Sequence, residues 1–386
     1  MKIAIVYPDD FSIWHFHRDL ITELMYRNNI VYTLSKKSNY SKKLIEIGAI
    51  SVPMPFSRFF DPIADIRLFA SLFSFFKNEK PDIVHCFTIK ANTYGIIAAK
   101  MAGVKKIIGT AEGLGFIFSD DLDKRYIFLK PIALLLYKIG CMACDKFWFV
   151  NPDDMNYFLK KSMINKEKVF LTISAGVNTE RYSIKYVNEE KKDLLRNELK
   201  INRHERIVLL VVARVLWSKG IREFIEAAEK LQNENIRFLL VGPLEEGSPD
   251  SVPIEFLREA EKMNNFNWLG FRRDILNLYS IADIVTLPSK YREGVPNVLL
   301  EAMALGKPII TTDNVGCREV IEDGENGYMI EKNSSVELKD AILKIIKNKK
   351  RMMKFGKKSR SMVESRFNKL KIINEVIENL YCDNKK

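Results

Sequence analysis

Short β-rich apolar runs, each followed by a helical pattern, recur along this chain and restrict its fold more than any other feature. KIAIVY (2–7), IVYTL (30–34), DIVHCF (82–87), KIIGT (106–110), KFWFV (146–150) and KVFLTI (168–173) predict strands in the first half. A polar stretch from Ser183 to Glu205, containing EEKKD, reads as the connection between halves. The alternation then restarts with RIVLLVVA (206–213), IRFLLVG (236–242), FNWLG (266–270), DIVTLP (283–288) and KPIITT (307–312). Strands and helices in this order build βαβ units with parallel sheets. A length of 386 residues also exceeds one ordinary core. The expected fold is α/β, with two doubly wound, Rossmann-like domains facing a central cleft. Residues 1–185 form the first and 186–386 the second; the segment from about Lys339 to Leu380 is helical and basic, and the last helix is able to pack back on the first domain. Ligands of open α/β sheets bind just beyond the carboxyl ends of the strands. Functional residues are therefore expected immediately after strands.

Charge adds a second constraint. The net charge is +12, and it is uneven: residues 1–185 hold 26 Lys and Arg against 18 Asp and Glu, and the remainder 35 against 31. A basic first half implies an anionic partner such as phosphate, nucleic acid or an acidic lipid surface. No basic stretch is interleaved with aromatics as a nucleic-acid groove requires, so nucleic acid is not the expected partner. The most apolar region, 125–150, is interrupted by Lys130, Pro131, Lys138 and Asp145, so it does not span a bilayer. It reads as a core helix or as one whose apolar face dips into a membrane surface. IRLFASLFSFFK (66–77), with four phenylalanines between Arg67 and Lys77, allows the same two readings. The chain opens on a strand instead of a charged leader, and its five cysteines are odd in number. Both features fit a reducing cytoplasm. Cys141 and Cys144 have CxxC spacing but no second ligand pair nearby, so a structural role is expected.

Two post-strand strings carry chemistry. ARVLWSKG places Arg214 and Lys219 beside Gly220 and a helix start, an arrangement suited to phosphate oxygens and equally to two solvated loop charges. PSKYREGVPNVLLEAMALGKP predicts a helix from about Pro296 to Leu305, with Gly306 as its C-terminal cap. The backbone N–H groups of Asn297, Val298 and Leu299 would be free at its start. Glu301 stands one turn into this apolar helix and needs a partner, either hydroxyls or a cation. Glu293 lies eight residues earlier in the loop. A capping glutamate plus a salt bridge explains either residue alone, but explains the pair less well.

EGVPNVLLE, an E-x7-E element, and the Arg214/Lys219 pair resemble the retaining GT-B glycosyltransferases of family 4. GTAEGLGF, LGFRRDI, SIADIVTLPS and GCREVIEDGENGY fall in the expected order, so the likeness covers nearly the whole chain. The resemblance implies a UDP-sugar donor held mainly by the second domain, with no metal or other cofactor. Arg214 and Lys219 would stabilise the leaving diphosphate, Glu301 would accept the ribose hydroxyls and Glu293 those of the donor sugar. Gly294, Asn297, Val298, Leu299 and Phe271 would complete the donor site. In this family transfer is described as same-face attack, with a donor phosphate oxygen taking the acceptor proton.

The first domain would then hold the acceptor. His15, His17 and Arg18 follow its first strand; His85, Lys90, Asn92 and Thr93 lie near the end of another. Glu112 follows a third, where many family members carry histidine, with Gly113 and Gly115 beside it. Glu112 would orient the acceptor hydroxyl, touch the donor sugar or make a structural hydrogen bond. WHFHR, IKANTYGIIAAK, EGLGF and RVLWSKGIREF look most like bacterial enzymes that add an N-acetylhexosamine to an undecaprenyl-diphosphate-linked sugar. That implies a peripheral enzyme at an anionic membrane surface, on the cytoplasmic face. A soluble acceptor is the alternative within the class, and a GT-B nucleotide-sugar epimerase the alternative outside it. Asp121-Leu122-Asp123 has DxD spacing but precedes a helix, where aspartates cap, so no metal is expected there. His204, in the polar connection, is expected to be exposed.

Overall fold

The computed structural model describes residues 1–57, 61–114, 118, 129–245 and 247–382. The chain divides into two compact units, Met1–Ala175 with Lys369–Lys386, and Gly176–Asn368. Gly115 and Asp121–Asp123 lie outside the described residues.

The first unit holds β1 (Lys2–Asp9), β2 (Ile30–Lys36), β3 (Ile50–Pro53), β4 (Ile83–Phe87), β5 (Lys106–Ala111), β6 (Lys146–Phe149) and β7 (Val169–Leu171). They form one sheet in the order β3-β2-β1-β4-β5-β6-β7, with every neighbouring pair parallel. The side-chain period of two divides the strands between two cores. Ile3, Ile5 and Tyr7 of β1 face the helices on one side, whereas Ala4 and Val6 face those on the other. The second unit holds β8 (Arg206–Val211), β9 (Ile236–Val241), β10 (Phe266–Trp268), β11 (Ile284–Leu287), β12 (Ile309–Thr312) and β13 (Gly327–Ile330). Their order is β10-β9-β8-β11-β12-β13, again wholly parallel. The strand order reverses between β1 and β4 in the first sheet and between β8 and β11 in the second. Those two points are where an open α/β sheet binds its ligands.

β3 and β13 were not expected from the sequence. Each is a sheet edge of four residues, and neither presents the continuous apolar run of a strand buried on both faces. The chain leaves the first unit at Ala175/Gly176, ten residues before the expected boundary. The polar stretch 183–205 belongs to the second unit and contains a helix, Glu189–Glu198. Asn188 caps it by accepting from the N–H groups of Glu190 and Lys191, and Glu189 and Glu190 complement the helix dipole. What reads as a linker is therefore a capped surface helix.

The basic C-terminal segment breaks into helices Ser335–Ile346, Lys349–Arg366 and Lys369–Val376, followed by a π-helical turn, Ile377–Tyr381. Asn348 separates the first two by capping the N–H of Arg351. The last helix and turn return to the first unit because Ile372, Ile373, Val376, Ile377 and Leu380 are buried against Ile3, Ile5 and Trp148. At roughly 1.5–3 kcal/mol for each buried aliphatic side chain, that face is enough to hold the segment.

The two apolar segments of the first unit differ in fate. In the helix Pro62–Glu79, Phe76 is buried and Phe69, Phe73 and Phe75 pack against the core. Its phenylalanines lean toward the core, whereas Ile63 and Ile66 of the same helix are exposed. The helix Leu129–Ala143 buries Ala133, Tyr137 and Cys141 in the same core, yet leaves Ile132, Leu135, Ile139 and Met142 exposed. Cys141 and Cys144 are free thiols in that core, both pushed well up chiefly by burial, that of Cys144 to about 12. Among the described residues no helix is long and apolar enough to cross a membrane, and His204 is exposed.

Candidate active site

In the second unit the site begins where β8 ends. The chain makes a 3-10 turn, Trp217–Lys219, and Gly220 follows with φ +79° before the helix Ile221–Lys230. A Cβ at Gly220 would lie 2.2 Å from the Pro288 carbonyl oxygen, so only glycine lets this turn press on the end of β11. Asp250 anchors the turn through the Ser218 N–H (3.2 Å) and hydroxyl. The Ser218 carbonyl then accepts the N–H groups of Lys290 (2.8 Å) and Tyr291 (3.0 Å). Two loops from neighbouring strands are thus joined through their main chains.

That joining brings Lys219 to Glu293. Lys219 Nζ donates to Glu293 Oε1 at 2.5 Å, with side chains only 12% and 11% exposed. Ser289 Oγ donates to the same oxygen at 2.9 Å, and the Tyr291 ring centroid lies 4.2 Å from the ammonium. Asn314, from the end of β12, holds the loop by donating to the carbonyls of Ser289 (3.2 Å) and Tyr291 (2.7 Å). Gly316 (φ +76°) completes the packing, because a Cβ there would fall 1.4 Å from the Gly294 carbonyl oxygen. Cys317 is buried beside the pair; burial, then Glu293, push its thiol to about 12. Arg214 is more open, with Nε 3.8 Å from the buried Glu245. Phe271 is 52% exposed after β10.

The helix after Glu293 spans Asn297–Ala304, with Pro296 at its N-cap. Its end is a Schellman turn, in which Gly306 N–H donates to Met303 O and Lys307 N–H to Ala302 O. The start differs from expectation in one respect. The Leu299 N–H is taken by the Pro296 carbonyl at 3.1 Å, which leaves Asn297 and Val298 as the outward donors. Glu301 also differs, being half-buried instead of enclosed, and accepting the Tyr279 hydroxyl at 3.1 Å. Tyr279 donates to the Val298 carbonyl as well, at 3.0 Å. The carboxylate therefore already has a protein hydroxyl as a partner, one of the two kinds the sequence called for.

In the first unit, β1 and β4 each run into a π-helical turn, Ile13–His17 and Ala91–Gly95. Such turns are frequent at functional sites. The first buries His17 and puts its Nε2 3.2 Å from Glu112 Oε1, at the end of β5. The ring nitrogen is not aligned for a hydrogen bond there. Tyr7 donates to Glu112 Oε2 at 3.1 Å. Burial pushes the Glu112 carboxyl up, but His17, Lys369 and Tyr7 outweigh it and hold the group below its ordinary value. Thr88, just after β4, has φ +69°, a strained conformation for a β-branched residue, and its buried hydroxyl has no partner among the described residues.

Other first-domain candidates are occupied by the fold. Asn92 is buried, donating to the Thr110 carbonyl (2.7 Å) and accepting its N–H (3.2 Å). Thr93 is buried and donates to Ile89 O. Both serve the main chain, which corrects their expected acceptor role. Lys90 is paired with the buried Asp65 at 2.6 Å and donates to Ser57, so its charge is already matched. His85 is a core histidine between Tyr381 and Thr110, both at 2.5 Å. Arg18 lies 3.4 Å from Asp19 and stacks over Trp14, and His15 is exposed and bonded to Phe11 O.

Residues 191–362 match the family Glycosyl transferases group 1, and residues 9–151 match Glycosyl transferase 4-like. The chain is 30% identical, over 98% of its length and 100% of the relative's, to a Campylobacter jejuni protein, N,N'-diacetylbacillosaminyl-diphospho-undecaprenol alpha-1,3-N-acetylgalactosaminyltransferase. It is a family 4 glycosyltransferase with the GT-B fold. A second relative of this glycosyltransferase is the Escherichia coli UDP-Gal:alpha-D-GlcNAc-diphosphoundecaprenol alpha-1,3-galactosyltransferase, 27% identical over 83% of this chain and 80% of that one. Among solved structures, Anabaena HepE in complex with UDP and glucose shares the fold at TM-score 0.80 and 19% identity, covering 99% of both chains.

The tertiary contacts of the glycosyltransferase supply residues that the sequence did not single out. Ser289, Tyr291 and Asn314 hold Glu293, Tyr279 holds Glu301, and Tyr7 holds Glu112. Only Ser289 and Tyr291, as neighbours of Glu293 after a predicted strand, had any signal in the sequence.

Proposed function

We propose that this glycosyltransferase moves a hexose, with an N-acetylhexosamine such as N-acetylgalactosamine favoured, from a UDP-sugar to a saccharide carried on undecaprenyl diphosphate. The transfer retains anomeric configuration, and the enzyme works peripherally at the cytoplasmic face of the membrane, in surface-glycan or protein-glycosylation pathways. The observation that carries the donor half is the Lys219–Glu293 pair at the β8/β11 switch point. An ammonium and a carboxylate held together there match the phosphate and hydroxyl ends of one sugar diphosphate. The acceptor half is supported by the names of the two relatives, both of which specify a diphosphoundecaprenol-linked sugar.

In this reading Lys219, Arg214 and the Asn297 and Val298 N–H groups bind the diphosphate, and the reading includes no metal because these donors meet its charge. Glu301 accepts the ribose hydroxyls and Glu293 those of the sugar. The anomeric carbon–oxygen bond to the diphosphate breaks while the acceptor hydroxyl oxygen bonds the same face of that carbon. The hydroxyl proton passes to a phosphate oxygen, and UDP leaves. Fixed positive groups that oppose the charge growing on the leaving diphosphate lower the barrier. Glu112, with His17 and Tyr7, orients the acceptor hydroxyl. The test is incubation with a panel of UDP-sugars and undecaprenyl-diphosphate-linked acceptors, with products identified by mass. A product formed only on water-soluble sugars, or a UDP-sugar interconverted without acceptor, would refute the reading.

A further inference from the structure

The helix Leu129–Ala143 presents an outward face that a protein surrounded only by water has no reason to build. Its exposed residues are Pro131, Ile132, Leu135, Lys138, Ile139 and Met142. At 100° per residue they fall in one arc of about 120°, opposite the arc of Ala133, Tyr137, Gly140, Cys141 and Cys144 that packs inward. Ile132, Leu135, Ile139 and Met142 are 47%, 59%, 39% and 67% exposed. From Ile132 to Met142 the stripe runs about 15 Å. Single exposed aliphatic residues are ordinary, but a contiguous row on one helix face marks an interaction site.

Charge decides the occupant. The 129–143 helix carries Lys130 and Lys138 and no acidic residue. Against a second copy of this chain, or another apolar protein surface, Lys138 would be buried in mid-stripe with no carboxylate on the arc to pair it, which is costly. Against a bilayer its stem lies along the apolar boundary while the ammonium reaches a lipid phosphate. The helix is also held firmly for that task, because Lys168 Nζ donates to the carbonyls of Met142 (2.8 Å) and Cys144 (2.7 Å) at its end.

We propose that this arc is the surface by which the protein sits on an anionic bilayer, with Ile132, Leu135, Ile139 and Met142 entering the acyl boundary and Lys138 meeting lipid headgroups. The inference deepens the peripheral location given above and rests on it. It is tested with the full chain, without donor or acceptor, so vesicle binding and sugar transfer can fail separately. Sedimentation with vesicles of phosphatidylcholine alone, and of phosphatidylcholine mixed with phosphatidylglycerol, compares wild type, Leu135→Ser/Ile139→Ser and Lys138→Glu. The wild type is expected to favour the mixed vesicles. The double variant should lose about 10- to 100-fold in partition on either vesicle, and Lys138→Glu about tenfold on the mixed vesicles only. All three positions are exposed, so the variants should melt as the wild type does; Lys138→Glu keeps the test decisive if the double variant does not fold. Wild type left in the supernatant, or unchanged partition of Leu135→Ser/Ile139→Ser, would overturn the proposal. So would loss of self-association by the double variant with vesicle binding intact, which would assign the arc to a second copy.

Discussion

Separating Lys219 from Glu293 should dissociate stability from turnover. Both side chains are about nine-tenths buried and 2.5 Å apart. Lys219→Ala leaves the Glu293 carboxylate with Ser289 as its remaining described donor, and removing one partner of a buried pair typically costs about 3–5 kcal/mol. The site retains about a tenth of its exposure and the Ser289 bond, so the lower end, about 3 kcal/mol, is expected. For a unit of this size that is about 6–12 °C in melting temperature. Glu293→Gln should cost less, since the ammonium still lies over the Tyr291 ring. In Lys219→Ala/Glu293→Gln no charge is stranded, so the double variant should be more stable than the summed singles by at least about 1 kcal/mol. Transfer should behave in the opposite way. All three variants lose a group that acts on the developing charge or the sugar, with turnover down by about 10²–10³. Melting by scanning fluorimetry and release of UDP from a UDP-sugar are the two assays. Additive stabilities would remove the ion-pair argument, and near-normal turnover in either single variant would remove the site.

Three further outcomes are expected. Glu301→Ala should weaken UDP binding about 10- to 100-fold by calorimetry, since hydrogen bonds to a charged group are each worth about 1.5–3 kcal/mol; unchanged affinity sinks the ribose role. Gly316→Ala places a methyl 1.4 Å from the Gly294 carbonyl oxygen; turnover should fall more than about tenfold through displacement of the Glu293 loop, and wild-type turnover would show the loop adapts. His85 is held well below its ordinary value by burial first and by His17 second. The unfolded imidazole takes a proton near about pH 6.5 that the folded one refuses, so stability is full above that value and falls below it. His85→Gln should flatten the melting curve between about pH 7 and about pH 5, and equal slopes for both proteins would contradict this. Glu112 acts in a separate, lower window, because its depressed folded value means its contribution is lost only as pH falls through that value.

Much of this architecture is written locally. β1, β4, β8 and β11 are covered on both faces, so their sequences are near-continuous apolar runs, broken only by residues such as the buried His85 and Thr286, as a parallel sheet requires. The residues that follow them are legible for the same reason, which is why Lys219 and Glu293 could be singled out from their places after β8 and β11. Edge strands β3 and β13 lacked that signal because one side of each has no neighbour. The polar Asn92 and Thr93 looked available after a strand, yet main-chain groups of other residues consume them.

The sequence by itself determined the parallel α/β class, the repetition in two halves and the post-strand positions of Arg214, Lys219 and Glu293, because these depend on periodicity and on neighbours along the chain. Tertiary structure alone decided that the last helix joins the first unit, that Lys219 meets Glu293, that Tyr279 satisfies Glu301, and that one of two apolar helices keeps its stripe outward. Each of those depends on residues far apart in sequence, and on which face of a helix the remaining core has room to bury.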